Sequence, residues 1–112
     1  SKPPKSEAAQ GKTTSSRPIN ELLEIVGQKW TLRILWEMRN GPLRFRELRS
    51  QCDEISPTLL NRRLSTLKSA DLIERTSDGY RLTPLGLELG AKLLELTAWA
   101  RRWKDERRSG NQ

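Results

Sequence analysis

From Ile19 onward the large apolar residues fall at helical spacing. Ile19, Leu22, Leu23 and Val26 predict a short first helix, and Trp30, Ile34, Leu35 and Met38 predict a second, with Gly27 between them. Asn40-Gly41-Pro42 stops the second helix, because glycine tolerates a left-handed cap and proline cannot continue the hydrogen-bond ladder. A third helix over 45–52 buries Phe45, Leu48 and Cys52, and ends at Asp53-Glu54-Ile55. Ser56-Pro57 signals a fresh start: serine caps the orphan N–H groups and proline at the first helical position has its φ already set. The fourth helix runs to about Ala70, with Leu60, Leu64 and Leu67 on its core face. Residues 72–76 and 80–82 read as two short strands around Ser77-Asp78-Gly79, where Asp-Gly is expected to supply the positive φ values of a tight hairpin. Thr83-Pro84 repeats the cap signal before a long final helix, with Leu85, Leu89, Leu93, Leu96, Ala100 and Trp103 on one stripe and Leu94 and Trp99 beside it. The predicted fold is mainly α with a small β-hairpin (α+β), in the order of a winged helix-turn-helix.

A chain of 112 residues accommodates one such core, and its net charge of +7 points to polyanions as partners. That charge is uneven. Residues 1–18 carry +3, residues 19–55 are neutral, and residues 56–82 and 83–112 carry +2 each. Residues 1–16 contain no large apolar side chain, so a flexible basic tail is expected there, then a folded domain over 17–108 and a disordered end at 109–112. The absence of histidine and the single cysteine leave no constellation for catalysis, zinc or an internal disulfide. No cofactor and no metal are expected, and the protein is not expected to be an enzyme. No apolar run has the length of a membrane span, and the N-terminus lacks a signal-peptide core, so a cytoplasmic, nucleoid-associated protein without a membrane partner is expected.

The fourth helix carries the most specific chemistry. Opposite its leucines lie Thr58, Arg62, Ser65 and Ser69, flanked by Asn61 and Arg63, and no acidic residue occurs over 56–70. A solvated helix of ordinary composition mixes Glu with Lys, whereas this face suits a major groove: Arg pairs bidentately with guanine, Asn with adenine, and short hydroxyl side chains permit close approach. Pro57, Thr58, Asn61, Arg62 and Ser65 are therefore the candidate base readers. Lys29, Thr31, Arg44, Arg46, Arg63 and Lys68 are candidate contacts to the DNA backbone, and Arg75 and Arg81 flank the hairpin turn as wing contacts, with Asp78 at the tip opposing deep insertion.

The run Pro18-Ile19-Asn20-Glu21-Leu22-Leu23-Glu24-Ile25-Val26-Gly27-Gln28-Lys29-Trp30-Thr31 resembles the opening of the HxlR-type winged helix-turn-helix regulators, relatives of the MarR group. The resemblance continues through Gly41-Pro42-Leu43-Arg44-Phe45-Arg46-Glu47-Leu48-Arg49, Ile55-Ser56-Pro57-Thr58-Leu59-Leu60-Asn61-Arg62-Arg63-Leu64, Leu72-Ile73-Glu74-Arg75 and Leu82-Thr83-Pro84-Leu85-Gly86, and closes at Trp99. It implies a bacterial or archaeal homodimeric transcription factor that pairs through its first and last helices and binds double-stranded DNA with the helix after Ser56 and the wing. Ile19, Leu22, Leu23, Leu89, Leu93, Leu96, Trp99 and Trp103 are the expected dimer contacts, and Leu32, Trp36 and Leu94 add apolar surface beyond what one small core covers. Two departures stand out. Some members sense electrophiles through a cysteine just before the first helix, where this chain has Arg17, and the hairpin lacks the family's longer proline-containing insertion. Cys52 shares the Phe45–Leu48 stripe and is expected to be a core thiol.

The expected function is sequence-specific transcriptional regulation by a homodimer on a pseudo-palindromic operator. The alternative is a winged-helix protein-interaction module that does not read DNA. A small-molecule effector of unknown identity, near Trp30, Trp36 or Trp99, is a further expectation.

Overall fold

The computed structural model describes residues 17–110, and the expected basic tail at 1–16 lies outside the described residues, as do 111–112. Five helices and one hairpin follow in order: α1 (Pro18–Val26), α2 (Thr31–Glu37), α3 (Phe45–Gln51), α4 (Pro57–Ser69), β1 (Ile73–Thr76), β2 (Gly79–Leu82) and α5 (Pro84–Gly110). The backbone of α5 continues two residues past the expected domain end at 108. Contacts divide the chain within α2, between Leu32 and Arg33, and the two parts are described separately.

In the N-terminal part, α1 begins at Pro18, whose fixed φ suits the first helical position, and Val26 is its buried residue. Gly27 ends α1 in a right-handed conformation, and the positive φ of this connection falls instead on Trp30, at 78°.

In the larger part, Ile34, Leu35, Met38, Leu48, Cys52, Ile55, Leu60, Leu64, Leu67, Leu72, Ile73 and Leu82 form the buried core. Ile34, Leu35, Met38, Leu48, Cys52, Leu60, Leu64 and Leu67 are positions that the helical spacing selects, whereas Phe45, expected to be buried beside Leu48, is half-buried because it faces the cleft beside the hairpin. Ser56 caps α4 as expected, its Oγ accepting the Leu59 N–H at 3.1 Å. Both α3 and α4 end without glycine. At α4, Asp71 takes the left-handed conformation (φ 61°), its N–H donates to the Lys68 carbonyl, and the Leu72 N–H donates to Leu67. This is the double bond of a Schellman cap. At α3, Asp53 and Glu54 are both left-handed, and the Glu54 N–H reaches the Arg49 carbonyl at 2.8 Å.

The hairpin pairs Ile73 with Leu82, Glu74 with Arg81, Arg75 with Tyr80 and Thr76 with Gly79, leaving Ser77 and Asp78 as the loop. The expected Asp78-Gly79 pair of positive φ values is corrected to one: Gly79 alone has it, at 120°, while the Thr76 hydroxyl accepts the Asp78 N–H and donates to the Gly79 carbonyl. Leu43, in the loop before α3, bridges to Tyr80 through both backbone hydrogen bonds, 2.9 and 2.8 Å. At the hairpin base, Gly86 sits so close to β1's entry that a Cβ there would lie 2.1 Å from the Leu72 carbonyl oxygen.

The chain's own core covers only the first part of the apolar stripe on α5. Gly86 is buried and Leu89, Gly90 and Leu93 are half-buried, but Leu85 and every side chain over 94–108 is exposed. Beyond Leu93 the helix has left the core that its first turns cover.

Candidate nucleic-acid interface

With Leu60, Leu64 and Leu67 packed inward, the periodicity of α4 turns Pro57, Thr58, Asn61, Arg62, Ser65, Lys68 and Ser69 outward, and all are exposed. Arg63 is half-buried at the flank. Arg62 makes no ion pair among the described residues, and neither does Arg44 or Arg46. Arg44 stands immediately before α3, where its own backbone N–H donates to the Glu47 carboxylate at 2.7 Å. The Glu47 carboxylate is thus engaged by the main chain of Arg44.

Other arginines work inside the fold. Arg49, clustered by sequence with Arg44 and Arg46, donates from Nε to the Ile55 carbonyl at 2.7 Å and lies 3.6 Å from a Glu54 carboxylate oxygen. Arg33 donates to Glu37 at 2.7 Å and to the Gln51 carbonyl at 2.6 Å, and lies 3.8 Å from Asp53. Glu37 accordingly holds the Arg33 guanidinium above its usual pKa. Together the two side chains brace the turn from α3 to α4, whose consecutive left-handed residues are costly for non-glycine backbone.

The hairpin register separates the two expected wing residues. Arg75 and Tyr80 are paired on one face, with the guanidinium carbon 5.7 Å from the ring centroid. Arg81 is on the other face, bonded to Glu74 at 2.7 Å, so much of its charge is already matched. A cleft of about 500 Å³ opens between α4, the start of α3 and the hairpin, lined by Arg44, Phe45, Asn61, Arg75, Thr76, Ser77, Gly79 and Tyr80. Sequence reasoning picked out Arg44, Asn61 and Arg75 singly. It missed Tyr80 and Phe45 as lining, and the signal for Tyr80 was its place opposite Arg75 once the loop is known to be two residues long.

In the N-terminal part, Lys29 is exposed, but Thr31 is 1% exposed and is corrected: a buried hydroxyl is not presented to a phosphate. Of the expected dimer residues, Ile19 and Leu23 on α1 are exposed and Leu22 half-buried; on α5, Leu96, Trp99 and Trp103 are exposed and Leu89 and Leu93 half-buried. Trp99 and Trp103 stack with centroids 6.1 Å apart, and Arg107 lies over the Trp103 ring at 4.6 Å. Cys52 is fully buried, and burial pushes its thiol pKa up, as for a core thiol. Among the described residues no cluster of potential ligands could hold a metal ion, and no helix is long and apolar enough to cross a membrane.

Known proteins share this fold. Residues 25–108 match the model of the HxlR-like helix-turn-helix family. The HTH-type transcriptional regulator YodB of Bacillus subtilis is 31% identical over 89 residues, covering 73% of this chain and 80% of YodB. The crystal structure of quinone-bound YodB superposes with a TM-score of 0.71 at 31% identity, covering 75% of this chain and 96% of that one. A possible HxlR family transcriptional factor from Thermoplasma volcanium gives a TM-score of 0.68 at 30% identity, covering 80% and 86%. With the motifs, the winged helix-turn-helix topology and the family match in agreement over most of its length, the chain belongs to the HxlR-like helix-turn-helix family.

Proposed function

We infer that the protein is a DNA-binding transcriptional regulator that acts as a homodimer on a pseudo-palindromic operator. The observation that carries this reading is the outward face of α4: Thr58, Asn61, Arg62 and Ser65 are exposed together, with no carboxylate on the helix to repel a phosphate backbone. Pro57, Thr58, Asn61, Arg62 and Ser65 read base edges in the major groove, while Lys29, Arg44, Arg46, Arg63 and Lys68 meet the sugar–phosphate backbone. Arg75 is the principal wing contact, ahead of Arg81, whose guanidinium is matched by Glu74. The exposed apolar residues of α1 and of α5 support pairing with a second copy, which would set two α4 helices about one DNA turn apart. Such a protein works in the cytoplasm and has no catalytic role. The quinone-bound relative supports a small-molecule effector here too, but the cysteine-based sensing of some members has no counterpart at Arg17.

Fluorescence anisotropy on genomic duplexes, followed by footprinting, tests the reading. Salt-sensitive binding with a protected pseudo-palindrome is expected. Arg62→Ala should cost about 1–3 kcal/mol at the preferred site and relax its sequence preference, whereas Arg44→Ala should weaken all duplexes alike. A protein that binds no duplex at low salt is the interaction module instead.

A further inference from the structure

We propose that the cleft between α4 and the hairpin seats the backbone of one DNA strand, with Arg44 and Arg75 closing on no more than two adjacent phosphates and Tyr80 holding Arg75 in place. This rests on the DNA reading above and specifies how the wing takes part in it.

Four observations converge. First, Arg44 and Arg75 come from elements separated in sequence yet line the same cleft of about 500 Å³, and no carboxylate lines it with them. Second, both are referenced to a single strand. Arg75 is the cross-strand partner of Tyr80, and Arg44 follows Leu43, whose backbone pairs with Tyr80. The separation of their backbones is therefore set by β2. Third, the Tyr80 ring stands 5.7 Å from the Arg75 guanidinium carbon, a cation–π distance that restrains a long side chain before any ligand arrives. Restraint of that kind lowers the entropy lost on binding. Fourth, the hairpin is poorly formed for minor-groove insertion. Its tip is Ser77 and Asp78, a carboxylate that the groove repels, and Arg75 lies behind that tip against the cleft. The hydroxyl of Ser77 supplies a further donor along the same path. Arg81, on the opposite face and bonded to Glu74, takes no part.

The experiment uses the full chain and its footprinted operator, with single phosphates replaced in turn by neutral methylphosphonates and binding read by anisotropy. The wild type should lose affinity several-fold at one position, or at two adjacent positions, on one strand of each half-site. Arg44→Ala and Arg75→Ala should each bind the unmodified operator more weakly, lower the log–log salt slope by roughly one, and lose less than the wild type does when that same phosphate is neutralised, with the double variant losing little at all. Tyr80→Phe, which keeps the ring, should retain more of the phosphate dependence than Tyr80→Leu does. Tyr80→Leu should weaken the operator complex and shrink the phosphate effect part of the way toward Arg75→Ala while leaving the salt slope near that of the wild type, since the Arg75 charge remains, and Arg75→Lys, which keeps the charge but not the guanidinium, should keep the phosphate dependence in weakened form. Arginines that map to separated phosphates, or to different strands, overturn the proposal. So does an Arg75 dependence that follows 2,6-diaminopurine substitution, which places an amino group in the minor groove. Wild-type protein that binds no duplex overturns the DNA reading itself, whereas binding with the wrong phosphate map overturns the cleft proposal alone.

Discussion

Asp71 occupies a left-handed backbone conformation that an L-residue adopts at a cost, and it does so because the two hydrogen bonds ending α4 require it. Asp71→Gly should raise stability by roughly 0.5–1 kcal/mol in urea unfolding, since the cap bonds are main-chain and survive the substitution. Asp53 and Glu54 stand under the same constraint with Arg33 and Arg49 as braces, and these positions show what a single sequence conceals. Helix starts announce themselves, as at Ser56-Pro57, through residues whose side chains make the cap. Helix ends announce themselves only when glycine takes the strained position. Here aspartate does, so neither the caps of α3 and α4 nor the bracing role of two arginines was legible. Cys52 was legible, because its spacing from Phe45 and Leu48 puts it inside. Its thiol should react slowly with iodoacetamide at pH 8 in the native protein and rapidly in urea. Since burial raises its folded pKa, the fold favours the protonated form. The stabilisation is intact below the unfolded thiol's pKa and is lost as pH rises through the folded value. Urea midpoints should therefore fall on the alkaline side, less steeply in Cys52→Ala.

Among the elements, α4 was read almost completely from its pattern: cap, proline, three buried leucines and an acid-free outer face are all where spacing puts them. The hairpin was read in position but not in register. A two-residue loop at Ser77 and Asp78 pairs Arg75 with Tyr80 and sends Arg81 to the other face, and an alternation of period two makes any such choice decisive for every side chain. The bridge from Leu43 to Tyr80 was invisible, because one pair of backbone bonds leaves no side-chain signature. Gly79 is where that bridge can be tested. Its φ is 120°, and a Cβ would stand 2.4 Å from the Leu43 carbonyl oxygen, a distance that only backbone movement relieves. Gly79→Ala should lower stability by at least about 1–2 kcal/mol and detach the loop before α3 from β2, seen as faster amide exchange at Leu43 and Tyr80.

For the molecule as a whole, the least legible feature was the extent of the core under α5. Leucine and tryptophan recur along the entire helix, yet the fold covers only its first turns, so periodicity alone could not tell a face buried within the chain from one left for another chain. Leu96 is 55% exposed, and Leu96→Glu should leave the single-chain core intact while yielding a monomer by sedimentation and weakening operator binding. A 27-residue helix is about 40 Å long, and an apolar stretch surrounded by water gains stability mainly when a neighbour covers it. With a second copy as that neighbour, the ordering of α5 depends on how many copies are present. Promoter occupancy would then climb more steeply than the amount of protein made, and dilution at each cell division would act on the regulated gene with no chemical signal.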